Sequence, residues 1–158
     1  MTMDDNRIFV DTNIFVYASV PSAPQRQPAN DALQQLRNAG MDIIVSQQIL
    51  REYIAVIMRL QNAGSGLPTA TILENVAVLR TECLVVDDTP AVLDTLFDLL
   101  QRVPGADRRI YDTNIVATML VHGVRRLLTH NTKDFARYAD VIKVVPLEPP
   151  TPAPAAEV

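Results

Sequence analysis

Five short apolar runs rich in Val, Ile and Leu alternate with stretches of helical periodicity along this chain, and no other feature narrows its fold as far. The runs, at 7–10, 42–45, 83–87, 126–129 and 141–145, are too uniformly apolar for strands with one wet face. Helical patterns fill 12–19, 28–38, 47–61, 69–81, 90–103 and 111–122. This alternation predicts an α/β fold, a parallel sheet with helices on both faces. Local punctuation agrees with it. Ser46 is placed to cap the third helix, Asp88 or Thr89 precedes Pro90 at a helix start, and Gly64-Ser65-Gly66-Leu67-Pro68 separates two helices. Five of the 13 residues from Pro146 onward are proline, so we expect one domain over residues 1–146 and a Pro-rich flexible tail over 147–158.

With 158 residues, 48% hydrophobic and 20% charged, the chain can bury roughly 70% of its unfolded surface, which excludes disorder for the bulk. A histone-like basic binder is excluded as well, since 18 acidic against 14 basic residues leave a formal charge of −4. The single cysteine, Cys83, permits no intrachain disulfide and no multi-cysteine zinc site, and fits a reducing, cytoplasmic setting. Residues 1–6, Met-Thr-Met-Asp-Asp-Asn, lack the basic and apolar segments of a secretory signal. No membrane anchor is expected, because uncharged stretches such as 12–25 and 60–73 reach only 14 residues and include polar ones.

The charge is unevenly spread. Residues 1–101 hold 6 basic and 12 acidic side chains, whereas 102–143 hold 8 basic and 4 acidic. Twelve of the 14 basic residues are arginine, whose planar fork suits phosphate, so a polyanionic partner is compatible with the net negative charge.

Three carboxylates occupy places where an apolar residue or a ligand-binding group belongs. Asp11 follows the first strand directly, at its carboxyl end, where open α/β sheets bind ligands. Glu52 shares a helix face with Ile49, Tyr53, Val56, Ile57 and Leu60, and Asp112 shares one with Tyr111, Ile115, Val116, Met119 and Leu120. An N-cap or first-turn role also accounts for Asp11 and Asp112, but Glu52 lies inside its helix, where a buried unpaired carboxylate is costly. Asp94 and Asp98, by contrast, lie opposite Leu93, Leu96 and Leu100 and are surface acids, while helix capping accounts for Asp87 and Asp88. Two carboxylates about 4 Å apart repel by about 4 kcal/mol at an effective dielectric near 20, so convergence of three calls for protons or a cation. Oxygen-only ligands select Mg²⁺ or Mn²⁺, and the chemistry such a set suits is phosphodiester hydrolysis.

Four ordered segments carry a resemblance. They are Val10-Asp11-Thr12-Asn13-Ile14, Ser46-Gln47-Gln48-Ile49-Leu50-Arg51-Glu52, Tyr111-Asp112-Thr113-Asn114-Ile115-Val116-Ala117 and Leu128-Thr129-His130-Asn131-Thr132-Lys133-Asp134-Phe135. Over residues 7–145 the chain resembles the PIN-domain nucleases, most of all the VapC-type toxins of bacterial toxin–antitoxin pairs. The resemblance implies a three-layer fold around a mostly parallel sheet of about five strands. It also implies a metal-dependent ribonuclease, usually a homodimer with a cognate antitoxin. Mg²⁺ or Mn²⁺ would be held by Asp11 and Asp112 with Glu52 completing the site, and Asn13 and Thr129 would support it. Many relatives carry an Asp where this chain has Asn131; Asp134 is open to two roles, the fourth acid or the cap of a short helix starting at Phe135. Arg108, Arg109, Lys133 and Arg137 bracket the acids in sequence and are expected to contact RNA phosphates. A surface position is expected for His130, a helix-end position before Gly123 for His122, and core positions for Tyr17, Tyr53 and Met58. Two other function classes stay open, a PIN-like module that binds RNA or protein without cutting and a phosphoacceptor receiver domain.

Overall fold

The computed structural model describes residues 6–64 and 66–149, so residues 150–158 of the expected tail lie outside the described residues. Five strands, β1 (Arg7–Val10), β2 (Asp42–Ser46), β3 (Leu84–Val86), β4 (Arg126–Thr129) and β5 (Lys143–Pro146), form one sheet. All pairings are parallel, in the order β3-β2-β1-β4-β5. Ile8, Phe9, Val10, Ile44, Val45 and Leu127 are fully buried, as strands covered on both faces must be. The expected fold class is therefore observed, and the order differs from the 2-1-3-4-5 order of receiver domains.

The helices α1 (Thr12–Ser19) and α2 (Arg26–Asn38) join β1 to β2, and α3 (Gln47–Asn62) and α4 (Thr69–Glu82) join β2 to β3. α1 packs on α2 and α3, and α3 packs on α4, giving one helical layer. Next come α5 (Pro90–Arg102), a 3₁₀ turn (Ala106–Arg109) and α6 (Ile110–Val121); α5 and α6 pack on each other and return the chain to β4. A one-turn helix α7 (Thr132–Phe135) and a second 3₁₀ turn (Ala136–Tyr138) lead to β5. Because β2 and β4 flank β1 and are reached in opposite directions, the carboxyl ends of β1 and β4 border a crevice at a topological switch point. No helix among the described residues is long and apolar enough to cross a membrane.

Most boundaries fall within two residues of the sequence periodicity, and the departures have local causes. β5 starts at Lys143 rather than 141 because the amides of Val141 and Ile142 both donate to the Tyr138 carbonyl, closing a turn first. Cys83 caps α4 instead of opening β3, and burial pushes its thiol up to about 11. On α5 the buried stripe is Val92, Leu96 and Leu99, leaving Leu93 half exposed. Tyr111, expected in the α6 stripe, is 72% exposed, since the buried run of α6 begins only at Thr113.

Thr113 ties together the segment that leads into the crevice. Its hydroxyl lies 2.8 Å from the Ala106 carbonyl and 2.6 Å from the Tyr138 hydroxyl, both buried, and 3.0 Å from the part-buried Arg109 carbonyl. With one proton to give to the carbonyls, Thr113 accepts from Tyr138. Thr113→Val keeps the shape and strands these groups, at a cost of about 1–3 kcal/mol. The variant is expected to melt several degrees lower by circular dichroism; an unchanged Tm would refute the role given to this hydroxyl.

Candidate functional site

β1 delivers Asp11 to the crevice. The Asp11 amide donates to the Leu128 carbonyl at 3.0 Å, which carries the β1–β4 pairing one residue further. The side chain then caps α1, with Oδ1 accepting from the Thr12 amide at 2.7 Å, so capping and site geometry coincide in one residue. Oδ2 accepts from Asn13 Nδ2 at 2.9 Å and Thr129 Oγ1 at 2.7 Å. Burial nevertheless raises the Asp11 carboxyl above its ordinary value, and the Glu52 charge raises it further, against the pull of these three donors. Asn13 also accepts from the His130 amide at 3.1 Å, and Thr129 Oγ1 from the Asn131 amide at 3.0 Å. Asn131 thus meets the site through its backbone, while its exposed side chain caps nothing in α7.

Glu52 is held from two helices. Its Oε2 accepts from Thr12 Oγ1 at 3.0 Å and its Oε1 from Gln48 Nε2 at 2.6 Å. Gln48 Nε2 also donates to the Tyr111 carbonyl at 3.0 Å, and Gln48 Oε1 accepts from Asn114 Nδ2 at 2.7 Å. A single buried amide thereby joins α3 to the start of α6 across the crevice. The sequence pattern does not single out Thr12, Gln48 or Asn114. Two signals point to the last two: Gln48 lies one helical turn before Glu52, and Asn114 completes a second Asp-Thr-Asn triplet matching 11–13.

Asp112 stands in the first turn of α6, and its carboxylate accepts no hydrogen bond among the described residues. Burial, then the charges of Asp11 and Asp134, push it up to about 6 against the opposing pull of Arg109, with Glu52 adding to the rise. Asp134 lies within α7, whose N-cap is Asn131, so it does not cap that helix. Its Oδ2 is 3.1 Å from Arg109 Nη1, which is also 3.9 Å from Asp112 Oδ2. The fold therefore brings together all four acids singled out in the sequence, and adds Arg109. Arg108, Lys133 and Arg137 are set apart from them, around a cleft beside Gly105.

Among the described residues, no three Asp, Glu, His or Cys side chains stand close enough to enclose an ion by themselves. The Glu52 oxygens are turned to Thr12 and Gln48, and an Asp134 oxygen to Arg109. The donor set still fits a hard divalent cation. All its donors are oxygen, and Asp112 is a half-buried carboxylate flanked by other acids with no hydrogen-bond donor to stabilise its charge. The two histidines stay outside this set. His130 is exposed, edge-on to the Tyr17 ring at 5.3 Å, and His122 Nε2 lies 2.9 Å from the Asp87 carbonyl. Tyr53 is in the core as expected, its hydroxyl bonded to Ser19 and Asn75.

Known proteins bear on this arrangement. No curated protein matches the chain in sequence. Several solved structures match its fold. A Rickettsia felis VapBC2 complex bound to a promoter DNA fragment has a TM-score of 0.66 at 16% identity, over 90% of this chain and 99% of that one. Mycobacterium tuberculosis VapC20, a toxin that cleaves the sarcin–ricin loop, has 0.58 at 18% identity, over 76% and 86%. FitAcB from Neisseria gonorrhoeae has 0.59 at 19% identity, over 87% and 95%. The family model of the PIN domain matches residues 8–141, a span that runs from β1 through α7 and contains all four acids. The chain belongs to the PIN-domain family.

Proposed function

We propose that this protein is a divalent-metal-dependent endoribonuclease, hydrolysing RNA phosphodiester bonds, and the toxin of a toxin–antitoxin pair. The observation that carries this reading is the pair Asp11 and Asp112, both raised by burial and by neighbouring carboxylates at the crevice between β1 and β4. Asp11, Asp112 and Glu52 would hold Mg²⁺ or Mn²⁺, and Asp134 is the fourth acid. When bound, the cation would acidify a water for attack on phosphorus and offset the charge of the phosphate. The chain's own part is positional. Thr12, Asn13 and Thr129 fix the Asp11 carboxylate, Thr12 and Gln48 aim Glu52, and the amide of Asn131 anchors Thr129. Membership of the PIN family and the likeness to toxin–antitoxin complexes support the reading.

A second reading, a PIN-like module that binds RNA or protein without cutting, is favoured by Asn131 in place of an acid and by Arg109 beside Asp112 and Asp134. It predicts no cleavage with any divalent ion. Under the first reading the purified protein cuts structured RNA with Mg²⁺ or Mn²⁺ and stops in EDTA. Thr129→Val is expected to lower the rate about 10–100-fold through the misplaced carboxylate, and Asp11→Asn to lower it further. Equal cleavage by Asp11→Asn would overturn the assignment.

Asp112 makes the pH dependence specific. Its folded value of about 6 lies above the ordinary 3.8, so the folded state holds this proton more tightly than the unfolded chain. Its contribution to stability is therefore present below pH 4, falls as pH rises from about 4 to about 6, and stays lost above that. The shift corresponds to about 3 kcal/mol, which solvent screening of this half-buried carboxylate lowers to about 2 kcal/mol. Calorimetry in EDTA should show Asp112→Asn melting about 5 °C above the parent at pH 7.5, with the gain vanishing near pH 4. A variant less stable than the parent at pH 7.5 would contradict the charge balance described for the site.

The partners in this proposal are RNA, a cognate antitoxin and a second copy of the chain. Leu93 and Phe97 on α5 leave apolar surface half exposed, which supports a self-association face. Light scattering should give twice the 17.5 kDa chain mass for the parent and a single-chain mass for Phe97→Glu. A monomeric parent would remove the second copy from the proposal.

A further inference from the structure

Beside the acids, one residue before Arg109 and one before Asp134, begins a cleft of opposite charge. Arg108 on the 3₁₀ turn, Lys133 on α7 and Arg137 line a cleft of about 420 Å³ with Pro104 and Gly105. No acidic side chain among the described residues lines it. Among the described residues, none of these three cations takes part in an ion pair, whereas the neighbours of two of them, Arg109 and Asp134, pair with each other at 3.1 Å. That pair fastens the 3₁₀ turn to α7 and holds the cleft directly against the acidic crevice.

The cleft is built rather than incidental. Gly105 has φ +76°, a conformation that favours glycine, and a Cβ there would stand 2.7 Å from a guanidinium nitrogen of Arg137. The Gly105 carbonyl accepts a hydrogen bond from Arg137, which orients the half-buried guanidinium over the glycine. Thr113 supports the same turn from below through the carbonyls of Ala106 and Arg109. Three like charges gathered with no acidic side chain in the cleft lining repel one another, and an anion in the cleft relieves that repulsion. Two guanidinium forks and an ammonium suit a phosphate, which accepts several charge-assisted hydrogen bonds at once.

We infer that Arg108, Lys133 and Arg137 form a subsite for a non-reacting RNA backbone phosphate, one that neighbours the phosphate held at the acids. This rests on the ribonuclease reading for the identity of the polyanion, but not on hydrolysis. The subsite sets the register of the strand and leaves Arg109 to the acidic crevice, so the four basic residues divide three to one.

Binding of a single-stranded 2′-O-methyl RNA, which resists cleavage, separates the two claims when measured in EDTA as a function of salt. Each phosphate contact on a single strand contributes about 0.7 to the slope of log affinity against log salt. Lys133→Gln combined with Arg137→Gln is expected to reduce that slope by about 0.7 and weaken binding several-fold. A charge-matched pair on α3 and α4, Arg59→Gln with Arg80→Gln, is expected to leave it unchanged. Gly105→Ala, which displaces Arg137 without altering charge, should weaken binding in the same direction. Equal loss in both charge pairs overturns the subsite in favour of general electrostatics. An unchanged slope accompanied by lost binding of a polyglutamate peptide overturns it in favour of an acidic protein partner. Intact slope effects in a protein that never cleaves RNA leave the subsite standing and remove the nuclease reading; no RNA binding by the parent removes both.

Discussion

Asp11 brings a carboxylate to the buried end of the central strand, and much of the surrounding architecture serves to keep it there. An isolated buried charge would cost several kcal/mol. Here the α1 amide, the Asn13 side chain and the Thr129 hydroxyl share it between them, so strand β1, helix α1 and strand β4 meet at one carboxyl group. The donors do not fully offset burial, since the group remains raised. That shortfall is what distinguishes the residue from an ordinary helix cap, for which the amide alone suffices.

Around that carboxylate the site is assembled by neutral amides and hydroxyls rather than by ion pairs. Gln48 accepts from Asn114 while donating to Glu52 and the Tyr111 carbonyl, which bridges α3 and α6 without adding charge. Thr12 caps nothing itself but turns its hydroxyl to Glu52. Neutral donors can position carboxylates without neutralising them, leaving their charge for a cation. Arg109 is the exception, standing between Asp112 and Asp134, and it links the acidic crevice to the basic cleft beyond. Opposite charges are thereby sorted over a short distance, a division that a net charge of −4 conceals.

Much of this was legible in the residues. The buried strands β1, β2 and β4 and the Ser46 cap of α3 follow from local periodicity and capping chemistry, and the structure bears them out, whereas the edge strands β3 and β5 and the Glu52 side chain are only partly buried. Tyr111 and Leu93 were not legible, because a helical stripe does not say where the helix loses its cover; Tyr111 precedes the buried run and Leu93 lies off it. The role of Gln48 was equally hidden, since a glutamine one turn from a glutamate reads as an ordinary surface pair until the neighbouring helix is known.

The amino-acid sequence by itself determined the α/β class, the number of strands and their succession along the chain, and which acids follow a strand or share a helix face with apolar residues. These depend on interactions within a few residues and on the periods of 2 and 3.6. Only the tertiary structure decided that the Thr129 hydroxyl, 118 residues away and implicated in the sequence by resemblance alone, donates to Asp11 Oδ2, and that Arg109 joins the acids while Arg108, Lys133 and Arg137 gather beside Gly105. Such partnerships are made by packing segments far apart in the chain, and side-chain chemistry alone leaves many of them equally plausible until the sheet order brings particular ends together.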